Sequence, residues 1–159
     1  MLQKFAPNYD HIYMFEPNAD MVHMASPENV TWIRAAAWTR TETKRFYVDD
    51  KGYSSSLLEY KTTRGTQKEW SDSYDVQCMD LVGWLYQAGK CDMCMDIEGA
   101  EYDVLPHLLD NYSCLKDLRS ICIEWHGKRI GMSQFERDTC RRNIVSRLQA
   151  LGIEVTTER

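Results

Sequence analysis

The stretch CDMCMDIEGAEYDVLPHLL, from Cys91 to Leu109, places Asp92, Asp96, Glu98, Glu101 and Asp103 close together and carries Cys91 and Cys94 beside them. Grouped carboxylates can hold a hard cation, take a proton from an attacking hydroxyl, or accept hydrogen bonds from a sugar diol. The C-x-x-C spacing raises zinc, which needs converging thiolates and two further ligands. No second C-x-x-C exists in the chain. On a strand, moreover, residues three apart point to opposite faces. The cysteines are therefore expected to pack as small buried hydrophobes, and no metal site is assigned. Asp96 and Glu98 fall at a strand's end, where Gly99 permits a sharp turn into a helix. Glu101 and Asp103 have a plainer reading, as acids suited to the positive first turn of that helix.

Other candidates lie at comparable points. Glu16 follows an apolar segment and could accept hydrogen bonds from both hydroxyls of a ribose. Glu124 and His126 end another such segment, and a histidine there titrates near neutrality and could act as a general base. Ser54, Ser55 and Ser56 form either a plain turn or a contact for a polar ligand.

Strands must aim these groups. HIYMF (His11 to Phe15), VTWIRAAAW (Val30 to Trp38), KRFYVDD (Lys44 to Asp50), SYDVQCMDL (Ser73 to Leu81), CDMCMDI (Cys91 to Ile97), SICIEWH (Ser120 to His126) and IEVTTER read as strands. Helices are expected at ADMVHMA, at DLVGWLYQAG, after Gly99, and from Ser133, where Ser133 and Glu136 form a capping box. The helix after Gly99 should bury Tyr102, Leu105, Leu108, Leu109 and Tyr112, with a kink or restart at Pro106. The last helix should bury Phe135, Cys140, Ile144, Val145, Leu148 and Leu151 and stop at Gly152. Strands alternating with helices, several of them continuous apolar runs, predict one α/β domain with a mainly parallel sheet. Ligands in such sheets sit at the carboxyl ends of the strands.

A length of 159 residues suits that single domain, and a net charge of −5 argues against a duplex-binding face. The opening MLQKFAPNYD has no apolar signal core, and no run is long enough to span a bilayer. The expectation is a reduced, cytoplasmic domain without nucleic-acid or membrane partners.

Six segments in order, FEPN (Phe15 to Asn18), AAAW (Ala35 to Trp38), SSSLL (Ser54 to Leu58), DLVGWL (Asp80 to Leu85), DIEGAEYDVL (Asp96 to Leu105) and IEWH (Ile123 to His126), resemble FkbM-type methyltransferases. The resemblance covers nearly the whole chain, and DIEGAE is its most specific part. It implies a Rossmann-like class I methyltransferase fold and S-adenosylmethionine-dependent O-methylation of a hydroxyl on a sugar or small natural product. It further implies that Glu16, Asn18, Ala36, Ala37 and Asp96 bind the cofactor, with Glu16 on its ribose and the alanines beside its adenine. Ser55, Ser56, Glu98, Glu124 and His126 would line the acceptor, and Asp96 or His126 would take the proton.

The sequence departs from the family at both ends. The acidic, glycine-containing loop of the D-x-G-A-x-x-G kind should lie upstream of FEP, yet no glycine precedes Glu16. The family's first strand, which lies between the FEP and DIEG strands, would then be missing, leaving two strand edges without a partner. The C-terminal hairpin is also cut short. The reading is the middle of an FkbM-type domain, with weak or absent cofactor binding. The alternatives are a non-catalytic remnant that binds a partner or nucleotide-like ligand, and a phosphoesterase-like carboxylate metal enzyme using Asp96, Glu98 and Glu124.

Overall fold

A computed structural model describes residues 9–18, 28–49, 54–59, 62–63, 66–67 and 69–158. The helix expected at ADMVHMA, with His23, and the turn at Gly52 lie outside the described residues.

The chain is mixed α/β with mostly parallel pairing. Strand β1 (Ile12–Phe15) runs parallel to β2 (Val30–Ile33). Strands β3 (Ala36–Trp38) and β4 (Glu42–Val48) flank β7 (Asp72–Asp80), β3 parallel to it and β4 antiparallel. A short antiparallel hairpin joins β5 (Thr62–Thr63) and β6 (Thr66–Gln67). Helix α1 (Leu81–Ala88) leads to β8 (Cys91–Met95), and α2 (Glu101–Asp110) to β9 (Leu118–Glu124). The long helix α3 (Gln134–Ala150) returns the chain to β10 (Glu154–Glu158). Strands β8, β9 and β10 form one all-parallel sheet, with β9 in the middle.

VTWIRAAAW is two strands rather than the expected one. After Ile33 the chain makes a tight turn, with the Ala35 N–H on the Ile33 carbonyl at 2.8 Å, and Ala36 starts a strand in a different sheet. Residue types alone do not reveal that switch, because every residue from Val30 to Trp38 tolerates an extended backbone. Among the described residues β1 pairs only with β2, and β8 only with β9. Each therefore keeps one edge unpaired among the described residues.

The core lies between the β8–β9–β10 sheet and the helices. Val104, Leu105, Leu108 and Leu109 of α2 pack with Ile121 and Ile123 of β9 and Ile144 and Leu148 of α3, all essentially inaccessible. Each such side chain contributes about 1.5–3 kcal/mol relative to exposure. Helix α2 continues through Pro106, so the helix does not restart there. Tyr112 lies beyond the helix in a 3-10 turn and is exposed, so it does not extend the buried stripe. In α3 only Ile144 and Leu148 are fully buried; Phe135 and Leu151, at the two ends of the helix, are exposed.

Both halves of the expected capping box form. The Ser133 hydroxyl accepts from the Glu136 N–H at 3.3 Å, and the Glu136 carboxylate accepts from the Ser133 N–H at 2.7 Å. Replacing Ser133 with alanine should lower stability by about 1 kcal/mol, read by urea denaturation. A loss below about 0.3 kcal/mol would mean that tertiary packing alone fixes this helix end.

Candidate functional site

The parallel strands aim their carboxyl ends at one cleft. Strand β1 ends at Phe15 and delivers Glu16; β8 ends at Met95 and delivers Asp96, Ile97 and Glu98. A cleft of about 220 Å³ is lined by Glu16, Ala36, Ala37, Ser55, Ser56, Asp96 and Glu98, among others. All seven were singled out from the sequence, and they come from four separate segments. Asn18 sits behind this lining: it is buried, its N–H donates to Glu16 Oε1 at 2.8 Å, and its Oδ1 accepts from the Tyr74 hydroxyl at 3.2 Å. Its part is to hold Glu16. Burial raises the Glu16 carboxyl above its ordinary range, against the lowering effect of the Asn18 N–H.

The serines divide. Ser56 is buried, donates to the Glu98 carbonyl at 3.1 Å and accepts from the Leu58 N–H at 3.1 Å, so its hydroxyl fastens the 54–58 loop to the end of β8. Ser55 accepts from the Asp49 N–H at 3.2 Å.

The turn after β8 is left-handed twice in succession, at Glu98 (φ 57°) and Gly99 (φ 111°). A left-handed non-glycine residue costs about 1 kcal/mol and persists only where its surroundings enforce it. Glu101 is the enforcer. Its side chain has no solvent exposure, yet Oε1 accepts from the Ile97 N–H at 3.0 Å and Oε2 from the Gly99 N–H at 3.0 Å. Oε1 is also 2.9 Å from Nδ1 of His126. Glu101 does lie in the first turn of α2, as expected, but its carboxylate is buried and bonded rather than serving only the helix end. Asp103, by contrast, is exposed as expected. Asp92 is taken up by Arg119 at 2.6 Å and the Ser120 hydroxyl at 2.9 Å, on the side of the sheet.

His126 lies two residues past the end of β9 and is 4% exposed. Its neighbour Gly127 passes so close to Tyr102 that a Cβ there would lie 2.5 Å from the tyrosine oxygen. With Nδ1 facing Glu101, Nε2 faces outward to Glu124 (3.4 Å), Asp96 (3.7 Å) and Glu98 (3.8 Å). Glu98 is paired with Arg129, a cation the sequence reading missed. Burial pushes Asp96 up to about 6, with the charge of Glu124 adding to it and that of His126 opposing it. Burial pulls His126 down, but its hydrogen bond to Glu101 and the charges of Glu101, Glu98 and Asp96 more than offset this and leave it above its usual value. Two titratable groups, both raised from their ordinary values, thus face one another, with Asp96 in the lining of the cleft.

The cysteines are not a knuckle. Cys91 is half-buried, Cys94 is exposed, and no disulfide joins any of the six. The expectation that both pack in the core fails for Cys94, which is exposed.

Fold and site together define an α/β domain with an acid–histidine cleft at the carboxyl ends of parallel strands. Comparison of the chain with protein families, curated proteins and solved structures gives no match. Among the described residues no helix is long and apolar enough to cross a membrane.

Proposed function

We propose that the cleft carries S-adenosylmethionine-dependent O-methyl transfer, of the FkbM type and on a Rossmann-like frame, to a hydroxyl of a sugar or small natural product. The observation that supports this best is the gathering of Glu16, Ala36, Ala37, Ser55, Ser56, Asp96 and Glu98 into one cleft. The residues fit part of the cofactor. Glu16 Oε2 has no recorded contact to the Asn18 N–H, which engages Oε1, and it can accept from a ribose hydroxyl. The two alanines leave a flat wall for a ring. At about 220 Å³ the cleft is smaller than the roughly 300–1,000 Å³ usual for small-molecule sites, so binding by this chain should be weaker than micromolar.

S-adenosylmethionine, when bound, supplies an electrophilic methyl group on a sulfonium. The chain's own task is to align an acceptor hydroxyl and remove its proton. Asp96 and His126 stand at the cleft's edge for that proton, and Glu101 fixes the imidazole so that Nε2 faces outward. Glu98 and Glu124 flank the same point and can hold the acceptor's other hydroxyls.

Equilibrium dialysis with labelled S-adenosylmethionine tests the reading. Weak, saturable binding is expected, reduced about tenfold (1.4 kcal/mol) by Glu16→Gln. No saturable binding at millimolar concentration, or binding indifferent to Glu16→Gln, would refute it.

A further inference from the structure

We infer that Asp96, Glu124 and His126 form a binding site for a divalent first-row transition ion of the manganese or zinc kind, a site that shares its residues with the proposed methyl transfer and competes with it. One ligand atom from each of the three lies within 4.8 Å of the others. Acids near one another are common at surfaces, and acids alone would carry nothing. The histidine makes the difference.

His126 is 4% exposed, and its Nε2 makes no hydrogen bond among the described residues. Its nearest acceptors, at 3.4 Å on Glu124 and 3.7 Å on Asp96, lie beyond the roughly 2.7–3.2 Å of an N–H···O bond. The 3.4 Å from Nε2 to Glu124 suits a shared ion, since ligands about 2.1 Å from a tetrahedral centre stand about 3.4 Å apart, and Asp96 at 3.7 Å needs only a small side-chain shift. Glu101 completes the arrangement. A carboxylate accepting from Nδ1 fixes the tautomer that presents an Nε2 lone pair outward, the usual support for a metal-bound histidine.

One imidazole among oxygens favours manganese or zinc over magnesium or calcium, whose sites are all-oxygen. Glu98 is held by Arg129, which leaves it beside the ion rather than on it. Asp96 and Glu124 are each more than a third exposed or close to it, so the ion has a route in and its remaining positions face the cleft. An ion on Nε2 would take His126 out of proton transfer, so the ion and a general base at His126 exclude one another.

The test is titration of metal-stripped chain with Mn²⁺, following the free ion by electron paramagnetic resonance. One ion per chain is expected. Asp96→Asn and Glu124→Gln should each weaken binding at least tenfold, and Glu101→Gln, which touches no ion, should weaken it about tenfold. Mn²⁺ should raise the melting temperature of the wild type but not of Glu124→Gln, a substitution at a half-exposed side chain that leaves the core intact. No binding up to millimolar Mn²⁺, or unchanged binding in both Asp96→Asn and Glu124→Gln, would overturn the site. Glu16 is not among the ligands, so its effect on S-adenosylmethionine binding reports separately on the proposed function.

Discussion

Replacing Glu101 with alanine is expected to cost about 3–5 kcal/mol of folding stability, the largest loss of any single polar residue in the described chain. The side chain is fully buried and joins three donors, the N–H groups of Ile97 and Gly99 and Nδ1 of His126. Alanine leaves two backbone donors and an imidazole unsatisfied in the interior, at about 1–3 kcal/mol each before relaxation and water entry. The missing carboxyl also opens a void beneath α2. Glutamine separates these contributions. It fills the space and keeps one carbonyl oxygen, but its amide must face either the Gly99 N–H or the Ile97 and His126 pair, donor against donor. A loss of about 2 kcal/mol is expected for it. Urea denaturation with both variants checks the order, alanine worse than glutamine. A loss below about 1 kcal/mol for alanine would show that water replaces the carboxylate at little cost.

Glu101 also shows where sequence reading succeeds and fails. The strands β1, β8 and β9 were legible because apolar runs of that length bounded by turn residues have few other uses. Once they were placed, Glu16, Asp96, Glu98, Glu124 and His126 followed from the rule that parallel strands aim their carboxyl ends at ligands. The burial of Glu101 does not follow from the sequence reading, because an acid at a helix start already has a sufficient local explanation. The contrary signal was present in the spacing. Glu101, Val104, Leu105 and Leu108 stand at i, i+3, i+4 and i+7, all of them buried. A stripe drawn through Tyr102 and Tyr112 instead was turned by about one residue, which put the carboxylate on the wrong side of the helix. A charged residue in phase with a buried stripe is the signature of a satisfied interior acid.

Other features could not be read locally. Arg129 lies in a turn five residues past β9, and nothing in its neighbourhood names Glu98 as its partner. The switch of sheets at Arg34 is likewise a tertiary decision: β2 pairs with β1, while β3 pairs with β7. Local propensity is the same on either side of that turn. The unpaired edges of β1 and β8 belong to the same level of organisation. Glu16 and Asp96 follow the last residues of those two strands.

Gly99→Ala is expected to destabilise the fold by about 2–4 kcal/mol through two separable effects. The first is conformational. Gly99 has φ 111°, a region that L side chains rarely adopt, and strain there is worth about 1–3 kcal/mol. The second is steric. A Cβ would lie 2.5 Å from the Ile130 Cγ2 methyl and 3.2 Å from Leu58 Cδ1. Cγ2 hangs directly from the branched Cβ, so it cannot swing aside as the end of a long chain could, and overpacking of this kind costs about 1–3 kcal/mol. Relaxing either effect moves Glu98 and Asp96, since the same turn positions both. A double-mutant cycle with Ile130→Ala apportions the loss. The steric part should vanish when the methyl is removed, giving a favourable coupling of about 1–2 kcal/mol, while the conformational part remains. A coupling of zero would assign the whole cost to the backbone. A single-variant loss below about 0.5 kcal/mol would show that the turn adjusts freely, and the tight placement of Asp96 and Glu98 by Glu101 would then be wrong.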